Sequence, residues 1–156
     1  IKVYLRGLMK KIDDYRELFG ATKDTDLNEL KSIYRTAMKN WHPDKFNDDE
    51  VLKEQAEHRS KLYIEAYHFL VSIAPETIEQ TKETYTSTIT TCGIQDFKYS
   101  KQILTVEFTD GSSYEYFAVP KLIFTRLVNS DSQPRYARRH IFTSFLYRNV
   151  RSANAV

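Results

Sequence analysis

The sequence predicts two domains: an all-α helical hairpin over residues 1–75, then over 76–156 a helical linker and a small α+β module with a three-stranded antiparallel sheet and two helices. Three observations carry this expectation. The spacing of apolar residues is helical to about residue 84, strand-like to 119 and helical again beyond. Pro43 interrupts two helical stripes, where a proline forces a break. Asp110-Gly111 separates two alternating runs and has the chemistry of a tight hairpin turn.

The first helix precedes Gly20 and brings Tyr15, Leu18 and Phe19 to close a small core beneath a hairpin. From Asp26 to Trp41, Leu30, Tyr34, Ala37, Met38 and Trp41 recur three or four apart and make one apolar stripe. Asp26 with Glu29 three residues on has the spacing of a capping box, with Asp in place of Ser or Thr. Proline has no amide hydrogen and disfavours helical backbone in the residue before it. The helix therefore stops near Trp41 and leaves His42, Pro43 and Asp44 in a loop. A second stripe, through Leu52, Ala56, Tyr63, Ala66, Tyr67 and Leu70, runs from Glu50 to Val71 and is long enough to pack antiparallel on the first.

In the second half, Leu104, Val106 and Phe108 alternate with Thr105 and Glu107, the pattern of a half-buried strand. Its partner returns from Ser112 to Val119, and a third strand lies near Ile94 to Tyr99. Pro120 opens a helix to about Asn129 and Pro134 another to about Arg148, a position where proline costs no hydrogen bond. No repeat, low-complexity tract or Gly/Ser linker separates the halves, so a tight junction near residues 75 to 86 is expected.

Charge and cysteine content narrow the function. The 156 residues are 41% hydrophobic and carry a net charge of +2, which identifies neither a nucleic-acid protein nor a membrane-surface protein. The charge is uneven. Residues 1–75 are balanced, 76–120 hold three bases against seven acids, and from 121 onward seven bases face only Asp131. Cys92 is the single cysteine, which excludes an intramolecular disulfide and suits a reducing compartment, so a cytoplasmic location is expected. No apolar run approaches the roughly 20 residues needed to span a bilayer. The start at Ile1 lacks an initiator methionine, so a trimmed chain is expected, and an upstream targeting segment can have been lost.

Residues 13–72 resemble the J-domain of DnaJ-type co-chaperones. The resemblance rests on Asp14-Tyr15-Arg16-Glu17-Leu18-Phe19-Gly20, on Glu29-Leu30-Lys31 through Ile33-Tyr34-Arg35, on Trp41-His42-Pro43-Asp44-Lys45, and on Glu65-Ala66-Tyr67 with Leu70. It implies that His42, Pro43 and Asp44 contact the ATPase and linker region of a DnaK-type heat-shock chaperone and bias it toward hydrolysis. The chain itself is then no enzyme and needs no cofactor. Arg16 stands where the family commonly has a second tyrosine, Lys39 where it is often apolar and Asn40 where it often has lysine.

The residues support this reading in their own terms. Lys31, Arg35 and Lys39 lie at i, i+4 and i+8, one positive stripe leading towards the loop and Lys45. Such a stripe steers a negatively charged partner, and its pull is screened within about 8 Å at physiological ionic strength. The plain alternative is a solvated helix face. An acid/base role for His42 and Asp44 finds no nucleophile, phosphate loop or orienting group beside them. His58 and His68 lack neighbours at ligand spacing, so no metal site is expected.

Residues 86–148 resemble the KTSC domain, a small module also found at the end of some lysyl-tRNA synthetases, through Leu104, Val106, Phe108, Gly111, Tyr114-Glu115-Tyr116, Val119-Pro120, Phe124, Leu127 and Ser132. RNA binding is a suggestion attached to that family. Tyr114 and Tyr116, two apart on a strand, share a face that could stack unpaired bases, and Arg135, Arg138, Arg139, Arg148 and Arg151 could hold phosphates. Equally, the tyrosines could pack beneath the C-terminal helices. A co-chaperone with a C-terminal targeting module and an RNA-binding or ribosome-associated adaptor are the two readings.

Overall fold

The structure is a computed structural model that describes residues 10–153; the first nine and last three residues of the expected domains lie outside it. The chain forms two compact units, one spanning Lys11–Thr77 and the other continuing from Ile78.

The first unit is helical. Helix α1 (Lys10–Phe19) buries Ile12, Tyr15 and Phe19, which recur at helical spacing. Gly20 ends it at φ +61°, where a side chain would be strained. There Ala21 N–H donates to the Arg16 carbonyl (2.8 Å) and Gly20 N–H to that of Glu17 (3.1 Å), satisfying two terminal acceptors. Helix α2 (Leu27–Trp41) starts where the Asp26 carboxylate accepts from Glu29 N–H at 2.8 Å. A second carboxylate, from Glu76, accepts from Leu27 N–H at 2.9 Å. A 3-10 turn (Pro43–Phe46) leads to helix α3 (Glu50–Ile73), which packs along α2. Tyr34 of α2 stacks on Tyr67 of α3 with centroids 4.3 Å apart. The buried Ala37, Ala56 and Ala66 are small enough to let the helices close, and Tyr15 and Phe19 of α1 meet Phe69 and Tyr63. Helix α3 stops because Ala74 is extended ahead of Pro75, where helix α4 (Pro75–Gln80) begins.

In the second unit, helix α5 (Lys82–Thr91) carries helical structure past the expected limit near residue 84. Its threonines favour strands by propensity, but Tyr85, Thr88 and Ile89 form a buried i, i+3, i+4 stripe, and that burial decides the outcome. Strands β1 (Ile94–Ser100), β2 (Ile103–Phe108), β3 (Ser113–Tyr116) and β4 (Tyr147–Arg151) form one antiparallel sheet in the order β1-β2-β3-β4. The sheet thus has four strands rather than the expected three. Helices α6 (Lys121–Val128) and α7 (Gln133–His140) lie between β3 and β4 in sequence.

Helix α7 was expected to reach about Arg148 and ends eight residues sooner. Ile141 and Phe142 turn into the core, 0% and 1% exposed, and both their amides donate to the Ala137 carbonyl at 2.9 Å. The chain is then free to return as β4. Glu115 meets Arg148 (3.0 Å) and Glu107 meets Arg151 (2.7 Å) on the polar face of the sheet. Leu104, Val106, Phe108, Tyr114 and Tyr116 fill the other face with Leu127, Ala137 and Phe142. Lys101 and Gln102, at φ 52° and 60°, turn β1 into β2 through two left-handed residues without a glycine.

The centre of this core is polar. Tyr85 O–H donates to the Phe142 carbonyl at 2.7 Å, and the Tyr85 and Tyr116 hydroxyls are 2.9 Å apart. A phenol has one hydrogen, so Tyr116 donates to Tyr85 and the chain of bonds has a direction. Burial holds both hydroxyls well above the ordinary tyrosine range, and they stay protonated. Unequal costs follow. Tyr116→Phe removes one bond and leaves Tyr85 donating, a loss of about 1 kcal/mol, whereas Tyr85→Phe strands the Tyr116 hydroxyl and the Phe142 carbonyl and costs about 2–3 kcal/mol. Urea unfolding of the two variants measures the difference, and equal costs would exclude this assignment of donors.

Candidate functional site

The loop between α2 and α3 is built by its proline. Pro43 requires an extended residue before it, and His42 is extended, with ψ 128°. The chain then winds into the 3-10 turn, with Lys45 N–H donating to the His42 carbonyl at 3.1 Å. Asp44 N–H donates to Nδ1 of His42 at 3.3 Å, and the Asp44 carboxylate lies 3.5 Å from the same nitrogen. With Nδ1 accepting from Asp44 N–H, a neutral ring carries its hydrogen on Nε2. The two side chains are 51% and 83% exposed, so His42 and Asp44 form a solvent-facing pair in a fixed local relation.

Aromatic rings bracket this pair. Trp41, the last residue of α2, stacks with Phe46, the last of the turn, at 6.4 Å between centroids and 25° between planes. Arg59 of α3 lays its guanidinium over the Trp41 ring, 4.3 Å from the centroid. Beyond the turn, the Asp49 carboxylate accepts from Val51 N–H (3.0 Å) and Leu52 N–H (3.2 Å), which starts α3. Sequence reasoning missed Phe46, Arg59 and Asp49. An aromatic on each side of the proline was the available signal for Phe46, and an Asp ahead of a helical stripe was that for Asp49. Arg59 is visible only once α3 lies alongside the loop.

Lys31, Arg35, Lys39 and Lys45 are all exposed, and among the described residues none is paired with a carboxylate. Their charge remains available.

In the second unit the expected tyrosines and arginines do not share one surface. Tyr114 and Tyr116 are 4% and 0% exposed, packed against Tyr85, Tyr147 and Phe142, so neither ring offers a face to a base. Their hydroxyls and rings are core material, which corrects the stacking role. Arg138 donates through Nε to the Ile89 carbonyl at 2.7 Å, and Arg148 and Arg151 are held by Glu115 and Glu107. Arg135 and Arg139 stay exposed on α7. Among the described residues, no helix is long and apolar enough to cross a membrane and no three His, Cys, Asp or Glu side chains are grouped to hold a metal.

Comparison with known proteins divides along the same lines. Residues 92–145 match the KTSC domain family. A chaperone protein DnaJ of Fusobacterium nucleatum is 41% identical over 58 residues, 36% of this chain and 15% of that protein. A chaperone protein DnaJ of Thermotoga maritima is 35% identical over 63 residues, 40% of this chain and 16% of that protein. A tetratricopeptide repeat and J domain-containing co-chaperone of Fusarium oxysporum is 35% identical over 69 residues, 44% of this chain and 13% of that protein. The chain therefore matches less than a fifth of the length of each of these curated relatives.

The Asp49 cap fixes the start of α3 next to the turn. Asp49→Ala leaves two amides at the start of α3 without their acceptor and costs about 1 kcal/mol. Hydrogen exchange should accelerate at Val51 and Leu52 and stay unchanged in the last turns of α3; unaltered exchange at Val51 would refute the capping role.

Proposed function

We propose that this chain, which joins a J-domain to a KTSC domain, is a co-chaperone that stimulates ATP hydrolysis by a DnaK-type heat-shock chaperone. The single observation that carries the reading is the exposed His42-Pro43-Asp44 turn at the end of the α2–α3 pair, within the part of the chain similar to DnaJ proteins. The contact surface we assign is His42, Pro43 and Asp44 with Lys31, Arg35, Lys39 and Lys45. His42 Nε2–H and the Asp44 carboxylate offer one donor and one acceptor, and Pro43 restricts their relation so that little freedom is lost on binding. The chain acts on the chaperone's conformational balance and performs no chemistry itself. We place the functional boundary near residue 75 and the site of action in the cytoplasm.

The C-terminal domain is assigned a targeting or binding role. RNA as its partner would rest on the exposed α7 arginines Arg135, Arg138 and Arg139, of which Arg138 already donates to the Ile89 carbonyl, since both tyrosines are in the core. The co-chaperone reading therefore stands first.

Two measurements test it. In single-turnover hydrolysis with a DnaK-type chaperone, the wild-type chain accelerates turnover and His42→Gln does not, while far-UV circular dichroism and melting temperature stay within error because His42 lies outside the core. Loss of fold in the variant, or stimulation equal to wild type, would overturn the assignment. Arg35→Ala weakens association by about two- to fivefold at low salt and by less at high salt, because an exposed charge acts through a screened field. A salt-independent effect would remove the steering argument.

A further inference from the structure

We propose that Arg59 is a positioning residue for the His42-Pro43-Asp44 turn, which it holds through the Trp41 ring in the orientation that a chaperone binds; this rests on the co-chaperone reading. The geometry is a stack of three side chains from three consecutive elements. Arg59 comes from α3, Trp41 ends α2 and Phe46 ends the 3-10 turn, so the rings stand on either side of the four residues between them. Among the described residues the Arg59 guanidinium makes no salt bridge. Its charge lies over the ring, 4.3 Å from the centroid, instead of against a carboxylate.

The need for such a clamp follows from what else fixes the turn. Pro43 and the His42–Asp44 contacts set the shape inside the turn, and the Asp49 carboxylate fixes the start of α3 behind it. How the turn as a unit sits on the long helices is set separately, by its packing along α3 and by the aromatic pair at its two ends. The Trp41–Phe46 stack joins its two ends, and Arg59 ties that stack to α3, which is itself packed along α2. Without Arg59 the turn samples more orientations. The fraction competent to bind falls, and apparent affinity falls in proportion, while a bound turn remains as effective as before. The expected signature is a change in half-saturation with no change in the plateau.

Trp41 is the only tryptophan in the chain, so its fluorescence reads the clamp directly. In the full chain, Arg59→Ala should alter Trp41 emission and accelerate amide exchange over residues 44–48. In single-turnover hydrolysis it should raise the concentration for half-maximal stimulation about three- to fivefold with the plateau kept. Arg59→Lys keeps the cation but loses the planar face and should fall between. His42→Gln should instead lose the plateau and keep wild-type Trp41 emission. Wild-type emission and exchange in Arg59→Ala would overturn the clamp. Altered emission with an unchanged half-maximal concentration would overturn the positioning role. Absence of stimulation by the wild type would reject the co-chaperone reading and the positioning role with it, and emission and exchange would still decide whether the clamp exists.

Discussion

Pro43 sets where α2 stops, and the geometry of the His42-Pro43-Asp44 turn follows from that stop. A residue ahead of proline is driven out of the helical region, so His42 is extended and the helix closes at Trp41. Without that break the apolar stripe of α2 would run on into the turn, and no reversal would let α3 lie beside it. The same residue that ends one helix opens the 3-10 turn, where its fixed backbone angle suits the first position. One ring therefore terminates a helix, starts a turn and separates a donor from an acceptor.

The two units solve the problem of a small core differently. In the first, alanines at three buried positions bring long helices together and leave polar side chains to the exposed turn. In the second, four short strands and three helices enclose a cluster of rings in which Tyr85, Tyr114, Tyr116 and Tyr147 are in mutual contact. Such rings bring large apolar area, and their hydroxyls must then find partners inside. The Tyr116–Tyr85–Phe142 chain of bonds meets that demand and ties α5, β3 and the end of α7 to one another.

Much of this was legible in the sequence because its signals were local. Pro43, Gly20, Asp26 and Asp110-Gly111 each act through the backbone of a few residues, and the helices and turns they punctuate are where their chemistry puts them. What was hidden depended on distant contacts. Tyr147 to Arg151 is five residues long without flanking glycine or proline, and its arginines look like a helix surface until Glu115 and Glu107 are placed opposite them. Residues 85–91 have the composition of a strand and become helical because Tyr85, Thr88 and Ile89 share a buried face. In the site, the exposed turn and its basic row could be read from spacing, whereas Arg59 acquires its place only through the pairing of α2 with α3. For Tyr114 and Tyr116, spacing gave the shared face and could not say whether that face was covered.

The contact between Glu76 and the first amide of α2 has a mechanical meaning. Helix α2 has 15 residues, about 22 Å at the helical rise, and Glu76 grips it at the end away from His42. Tension transmitted through α4 would reach the hairpin at Ile73 through the covalent chain and at Leu27 through this contact, both at the ends of α3 and α2 away from the turn. The turn at the other end would feel little of it. The Glu76 contact and the exposed turn are thus separated by the length of one rod, as a handle is from a blade.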